Sequence, residues 1–339
     1  ERAVRKMMER EFLSVVAKED IQYDGIGSII AKKVGDAKGP KIAIAGHMDE
    51  IGMIVTKITE EGYLKFQTVG GWWSQVMLAQ QMTVTTAKGK KFRGVTGSKP
   101  PHILSAEDLK NPVKIDDIFI DLGVDNKEEV EKLGIRVGDM ITPAIEFQEM
   151  ANPNYLLAKA WDNRIGCAIV LETMKRLKDA SHPNIVFGVG TVQEEVGLRG
   201  ARTTAEIINP DIVIALDVGI AKDTPGTDSS VKLGKGPQIL LYDGALVGHV
   251  GLREAIVKVA EAHNIPFQFD YLQRGGTDAG AMHLAHDGAP AMSFCIPSRY
   301  IHSHTSIIHK EDFENAVKLL VEVIKTLDKE TVFDITYNS

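Results

Sequence analysis

Several short, unbroken apolar runs along this chain are each followed by an acidic residue or a histidine. Runs of this length and composition indicate strands that are buried on both faces of a largely parallel sheet. The runs are 42–45, 185–192, 211–216 and 291–296, and the polar residues that follow them are His47, Glu194, Glu195, Asp217 and His302. Since ligands bind beyond the carboxyl ends of the strands in open α/β sheets, we expect these side chains to share one crevice.

Asp162 adds a further carboxylate to this set. Apolar residues between 165 and 177 recur with a helical period, so Asp162 lies at or just before the N-terminus of a predicted helix. A carboxylate there would face the same edge of the sheet. A group of imidazole nitrogens and carboxylate oxygens at one sheet edge predicts a metal site.

The sequence pattern changes between about 67 and 157, where short predicted strands with alternating apolar and polar residues are separated by glycine. This pattern is typical of a small β-barrel or sandwich. Before and after this part of the chain, strands alternate with helices. The helices predicted after 157 are 163–179, 202–208, 250–263, 278–285 and 311–328. We therefore expect one α/β domain formed by 1–66 and 158–339, with an inserted β-domain at 67–157.

Composition excludes several classes of protein. With 339 residues and a net charge of −7, the chain has no basic stretch that could track phosphates, which argues against nucleic-acid and anionic-membrane partners. Its two cysteines, Cys167 and Cys295, lie in apolar runs, so no disulfide framework organises the fold. No apolar run approaches the roughly 18 residues that a membrane helix needs. No signal-peptide pattern occurs either, and we expect a cytoplasmic protein.

The number of candidate ligands bears on the number of ions. Two zinc ions about 3.5–4 Å apart can share a bridging carboxylate and activate one water between them. Five candidates are enough for such a pair, with Asp162 as the bridge, and they are His47, Asp162, Glu195, Asp217 and His302. The sequence therefore predicts two divalent ions per chain, zinc first, although cobalt or manganese would also suit these ligands.

Two more carboxylates have candidate roles near these ligands. Asp49 shares a face with His47 in an extended chain and would accept the second N–H of the imidazole, unless it is a solvated or capping aspartate. Glu194 and Glu195 point in different directions if the backbone is extended. One of them can then bind metal while the other faces the reactive water as general base.

Two choices stay open on the residues alone. His302 and His304 share a face in an extended chain, so spacing does not decide which of them is a ligand. The polar stretch 274–280 before a predicted helix is either plain turn chemistry or a loop that faces the substrate.

Five ordered motifs resemble those of the tetrahedral aminopeptidases. This family of dinuclear-metal exopeptidases includes glutamyl and deblocking aminopeptidases, and some members have carried an endoglucanase label. The motifs are 46–52, 160–164, 193–197, 216–219 and 299–303. The resemblance implies a zinc-exopeptidase type of fold, a mixed and largely parallel sheet with helices on both faces, and the inserted β-barrel also fits.

The resemblance also implies a role for each candidate residue. One ion would be bound by His47 and Asp217 and the other by Glu195 and His302, with Asp162 bridging, Glu194 as general base and Asp49 as the partner of His47. His302 is favoured over His304 because the histidine of the family motif follows Arg-Tyr-x. Family members form dimers through the β-insertion and commonly hollow dodecamers, so a homo-oligomer is expected.

The implied activity is a metallo-aminopeptidase that removes N-terminal residues from short peptides through a hydroxide bridging the two ions. One alternative is a glycoside hydrolase that uses a carboxylate pair, but its sites tend to use aromatic platforms and aromatic residues make up only 6% of this chain. The other alternative is a non-catalytic homologue. The sequence mark of such a homologue would be the loss of a ligand or of the base, and none is lost here.

Overall fold

The computed structural model describes all 339 residues, which form eight α-helices and seventeen strands. The helices are α1 Arg2–Phe12, α2 Lys127–Leu133, α3 Trp161–Arg176, α4 Arg199–Ile208, α5 Val250–Ala262, α6 Asp278–Met282, α7 Lys310–Thr326 and α8 Lys329–Tyr337. The strands are β1 Ile21–Tyr23, β2 Ile29–Val34, β3 Lys41–His47, β4 Gly52–Ile58, β5 Leu64–Val69, β6 Gln81–Thr85, β7 Lys91–Gly97, β8 Phe119–Asp121, β9 Met140–Pro143, β10 Gln148–Glu149, β11 Tyr155–Ala158, β12 Ile185–Thr191, β13 Ile212–Ile220, β14 Gln238–Tyr242, β15 Gln268–Tyr271, β16 Ala291–Ser298 and β17 Ser306–His309.

An eight-stranded mixed sheet forms the centre of the α/β domain. Its strand order is β1-β2-β12-β3-β13-β16-β14-β15. The four middle strands β12, β3, β13 and β16 run parallel to one another, whereas β2 pairs antiparallel with β12 and β14 pairs antiparallel with β16. The apolar runs that predicted these four strands therefore end at one edge of the sheet, as expected.

Helices cover both faces of this sheet. Along β3, Ile42 and Ile44 pack into a core formed with α1, α3, α5, α7 and α8, while Ala43 and Ala45 pack into a second core with α4 and α6. Residues of β3 alternate between the two cores because successive side chains of a strand point to opposite faces. The prediction of an α/β fold with helices on both faces is confirmed.

The inserted domain is a closed barrel with the strand order β4-β5-β8-β7-β6-β9. The predicted barrel is confirmed, but it includes β4, which lies before the boundary expected at 67, and β5, which spans this boundary. Only four residues separate β3 from β4, so no glycine-rich break in the sequence marks the change of domain. The barrel has its own apolar core, in which Met53 and Leu64 are fully buried.

The strands β10, β11 and β17 form a small sheet that the sequence did not predict. Tyr155–Ala158 pairs antiparallel with Ser306–His309. This pairing brings the segment before α3 next to the segment after the 299–305 loop.

Both cysteines are buried and free, and burial raises the pKa of Cys167 to about 12. No helix has the length and apolar character needed to cross a membrane.

Candidate metal centre

His47 is the last residue of β3, and the start of α3 passes directly over it. A Cβ on Gly46 would lie 2.6 Å from the carbonyl carbon of Gly166 and 2.7 Å from the amide nitrogen of Cys167. Only glycine permits so close an approach of helix and strand. As a result, Oδ1 of Asp162 lies 3.0 Å from Nε2 of His47.

Asp162 lies between two histidines. While its Oδ1 faces His47, its Oδ2 lies 3.2 Å from Nε2 of His302, in the loop between β16 and β17. The next residue, Asn163, donates from its side-chain amide to the carbonyl of Leu216 at 2.7 Å. This hydrogen bond attaches the start of α3 to β13. The carboxylate of Asp162 therefore has the position of a bridge between two binding positions.

Glu194 and Glu195 follow β12 and are oriented by Asp49. The backbone N–H groups of both glutamates donate to the Asp49 carboxylate, each at 3.1 Å. Their side chains then diverge. Oε2 of Glu194 lies 3.8 Å from Nε2 of His47, and Oε2 of Glu195 lies 3.5 Å from Nε2 of His302.

Asp217 lies within β13 rather than at its end. The strand continues to Ile220 because it pairs with β16 along this stretch, with Asp217 opposite Cys295. Oδ1 of Asp217 lies 3.8 Å from Nε2 of His47. The ligand-type atoms thus form two groups whose members lie within 4.8 Å of one another, namely His47 with Asp162 and Glu195, and His47 with Glu194 and Asp217.

The centre holds more negative charge than its histidines can balance. Burial raises the pKa of Glu194 and of Asp217 well above their usual values, and burial together with the neighbouring Asp162 raises that of Glu195 to about 7. Burial also acts against ionised Asp162, but the imidazoles of His302 and His47 lower its pKa below the usual value. Buried carboxylates so close together are stabilised in the ionised form only when cations are present.

The residues fit divalent metal ions. Oε1 of Glu195 is buried and has no hydrogen-bond partner in the protein, an arrangement that costs free energy unless another group contacts the oxygen. The available donors are imidazole nitrogens and carboxylate oxygens, the ligands that zinc, cobalt and manganese accept. Asp162, with one oxygen facing His47 and the other facing His302, lies between two neighbouring positions for such ions.

A cavity of about 670 Å³ opens over this cluster. The acidic and histidine residues of the cluster line it, together with Gly71 of the barrel domain. The other lining residues are mainly apolar or small, and they include Ile220, Ala221, Ala245, Leu272, Gly276, Tyr300 and Ile301, together with the exposed cation Arg274. Such a cavity can admit the end of an extended peptide.

The stretch 274–280 contains a buried carboxylate whose position the sequence did not predict. Asp278 is 2% exposed and accepts a hydrogen bond from the Thr191 hydroxyl at 2.5 Å, and burial raises its pKa to about 6. Arg274 and its two glycines instead line the cavity. The cavity-lining position of Arg274 is compatible with the interpretation of this stretch as a loop that faces the substrate, and that interpretation stays a prediction. Nothing in the local sequence indicates that Asp278 points inward while Arg274 does not.

The structure separates the two competing histidines. His302 joins the cluster, whereas Nε2 of His304 donates to the backbone carbonyl of Gln81 at 2.7 Å. Six of the seven residues singled out from the sequence line the cavity, and the seventh, Asp49, lies next to one of them, with its Oδ1 3.3 Å from Nδ1 of His47. Gly70 and Gly71 lie next to Glu195 and His302, a position that the sequence did not indicate.

Comparisons with known proteins show which family this chain resembles. Residues 27–319 match the family described as M42 glutamyl aminopeptidase. The glutamyl aminopeptidase of Lactococcus lactis is 37% identical over 316 residues, which cover 93% of this chain and 88% of that protein.

Two solved structures resemble the whole chain. The TET aminopeptidase from a marine sediment archaeon of the Thaumarchaeota has a TM-score of 0.94 and 42% identity, covering 98% of this chain and 93% of that chain. The TET1 peptidase of Pyrococcus horikoshii, which can assemble into a tetrahedron or a large octahedral shell, has a TM-score of 0.84 and 33% identity, covering 95% and 93%.

Proposed function

The chain belongs to the M42 glutamyl aminopeptidase family, and we propose that it is a metal-dependent aminopeptidase that removes N-terminal residues from short peptides. The observation that carries this proposal is the position of Asp162 between His47 and His302, within a cluster of acidic and histidine residues that line one open cavity. A dinuclear centre is the finer part of the proposal. The residues proposed to bind the ions are His47 and Asp217 for one, Glu195 and His302 for the other, and Asp162 for both.

When bound, two divalent ions would polarise the scissile carbonyl and lower the pKa of a water that they share. Glu194 is the proposed general base because its carboxylate lies at the cavity, next to His47, and is not one of the five proposed ligands. It would accept a proton from the attacking water and then donate it to the leaving amine. The free α-amino group of the peptide would bind beside the same carboxylates. Zinc is the proposed ion, and cobalt or manganese would suit the same donors.

Elemental analysis combined with a substrate panel tests this function. The panel consists of aminoacyl chromogenic substrates with acidic, basic and apolar side chains, each also in N-acetylated form, before and after chelation. We expect about two metal ions per chain, as a shared-water mechanism requires, and chelator-sensitive cleavage of the free-amine substrates only. Absence of bound metal, or activity that is indifferent to the chelator, would overturn the proposal.

The same panel separates the two alternatives. A glycoside hydrolase with a carboxylate pair would cleave cellulose oligomers, and this activity would survive metal removal. A non-catalytic homologue would bind metal and leave every substrate of the panel intact. If the protein is an aminopeptidase, neither of these results is expected.

A homo-oligomer is the proposed assembly, as dimers that join through the barrel domain and build a dodecamer. Its support is the Pyrococcus horikoshii relative that assembles into closed shells. Large apolar side chains are also exposed on the inserted domain, among them Ile103 and Leu109. Light scattering coupled to size exclusion tests it, and a monomer at micromolar concentration would contradict it. The cytoplasmic location stays a prediction.

A further inference from the structure

The barrel domain contacts the metal centre through one turn, Gly70–Gly71, which follows β5. A Cβ built on Gly71 would lie 3.0 Å from Nδ1 of His302, and one built on Gly70 would lie 3.1 Å from Oε2 of Glu195. These two side chains are the ones proposed to bind the second ion. The turn therefore touches one of the two positions and not the other.

His302 needs such support more than the other candidate ligands. It lies on a loop, its own φ is 55° and that of nearby Tyr300 is 64°, and its side chain is 41% exposed. His47 and Asp217, by contrast, lie in buried strands of the central sheet. A partly exposed side chain on a loop loses more conformational freedom when it binds an ion.

The turn packs closely against one side of the His302 ring. Nε2 of His302 faces Asp162 and Glu195, so Nδ1 is the ring atom that faces the turn. Packing of the turn against the Nδ1 side of the ring keeps Nε2 directed toward the other proposed ligands, and contacts that orient a ligand histidine affect metal binding.

His304 connects the same loop to the barrel at a second point. Its Nε2 donates to the carbonyl of Gln81, the first residue of β6, at 2.7 Å. The loop is thus attached to the barrel on both sides of Ser303, through His302 to Gly71 and through His304 to Gln81.

We propose that the barrel domain positions His302 through Gly71 and His304, and so sets the affinity of the Glu195–His302 position for its ion. Gly71 and His304 are positioning residues in this proposal, which gives the barrel a part in the metal centre separate from any part in assembly. The inference rests on the proposed function, since it takes this position to bind an ion. Groups that orient a ligand histidine commonly change metal affinity by about 10- to 100-fold.

Calorimetric titration of the metal-free full chain with Zn²⁺ tests this inference. The wild type is expected to bind in two steps, and His302→Ala identifies the step that belongs to the Glu195–His302 position. Gly71→Ala and His304→Ala should weaken that step by about 10-fold or more and leave the other unchanged. His304→Gln should restore it, because the glutamine amide can donate to the same carbonyl.

Two matched controls accompany these variants. Gly25→Ala adds a Cβ that meets nothing within 4 Å. His286→Ala removes an exposed histidine that does not line the cavity and whose Nε2 lies 3.1 Å from the carbonyl of Glu206. Neither control should change either step. Because His304 is only half-buried and lies outside the apolar core, a folded variant is available even if Gly71→Ala misfolds.

Two outcomes would overturn the inference. Both steps could be unchanged in Gly71→Ala and His304→Ala, in which case the barrel is only a neighbour of the site. Alternatively both steps could weaken together with a lower thermal midpoint, which marks general loosening. In either case, two ions and chelator-sensitive cleavage in the wild type would leave the proposed function standing, whereas a wild type that binds no ion would end both.

Discussion

The carboxylate of Asp49 lies 3.3 Å from Nδ1 of His47, on the side of the ring opposite to Asp162. The same carboxylate accepts the backbone N–H groups of Glu194 and Glu195. One side chain thus contacts a proposed ligand of one ion, the proposed base and a proposed ligand of the other ion. Asp49 connects the ends of β3 and β12 at the point where the chemistry would take place.

Asp49→Ala should therefore weaken metal binding at both positions. Loss of a group that orients a ligand histidine lowers metal affinity by about 10- to 100-fold, and the backbone at Glu194 and Glu195 would also lose its acceptor. Zinc affinity measured by competition with a chelating dye checks this. Asp287→Ala, which removes an exposed carboxylate, is the control. Unchanged affinity in Asp49→Ala would show that Asp49 is a simple capping residue.

Glu194→Gln should retain both ions and lose catalysis. The amide cannot accept the proton of the attacking water, and general-base catalysis contributes about 10²- to 10⁴-fold, so kcat should fall by at least about 10²-fold. Metal content and kcat of the purified variant are measured together, with Glu206→Gln on the exposed side of α4 as the control. A fully active Glu194→Gln enzyme would remove Glu194 from the proposed role.

Much of the catalytic domain could be predicted because its strands are unbroken apolar runs. The run 42–45 ends just before His47, and the strand found there is Lys41–His47. The boundary of the barrel was placed too late because β4 follows β3 after a short turn with no break in composition. Contacts between segments distant in sequence were out of reach. Neither the close approach of Gly71 to His302 nor the inward position of Asp278 leaves a local pattern.

Gly46→Ala should disrupt the relative position of β3 and α3. The added Cβ would lie 2.6–2.9 Å from backbone atoms of Gly166 and Cys167, which cannot move away as a flexible side chain would. Overpacking of this kind costs about 1–3 kcal/mol, and here it would also move Asp162 away from His47. We expect a lower thermal midpoint together with weaker zinc binding. Gly25→Ala, which meets no atom within 4 Å, should change neither, and a Gly46→Ala variant with wild-type stability would contradict the close packing.

The ion pair between Arg299 and Asp223 should make stability depend on pH in a defined direction. Nε and Nη2 of Arg299 donate to the two carboxylate oxygens of Asp223, each at 2.8 Å, and fix the start of the 299–305 loop. Burial raises the pKa of Asp223, but Arg299 and the backbone N–H of Leu233 lower it by more than burial raises it. The pKa of Asp223 in the folded chain is therefore below the usual value. A carboxyl with a lowered folded-state pKa stabilises the fold above its unfolded-state pKa of about 3.9, and this stability is lost as the pH falls through the folded-state pKa.

Asp223→Asn should therefore be less stable than the wild type by about 1.5–3 kcal/mol at neutral pH, a value typical of hydrogen bonds to charged groups. The difference should stay constant from pH 7 to about 5 and shrink below pH 4, where the wild-type carboxyl begins to take up its proton. Urea unfolding followed by circular dichroism at a series of pH values measures it. Asp179→Asn, at an exposed carboxylate, should match the wild type throughout. A difference between Asp223→Asn and the wild type that persists unchanged at pH 3 would mean that the loss comes from packing and not from the charge of Asp223.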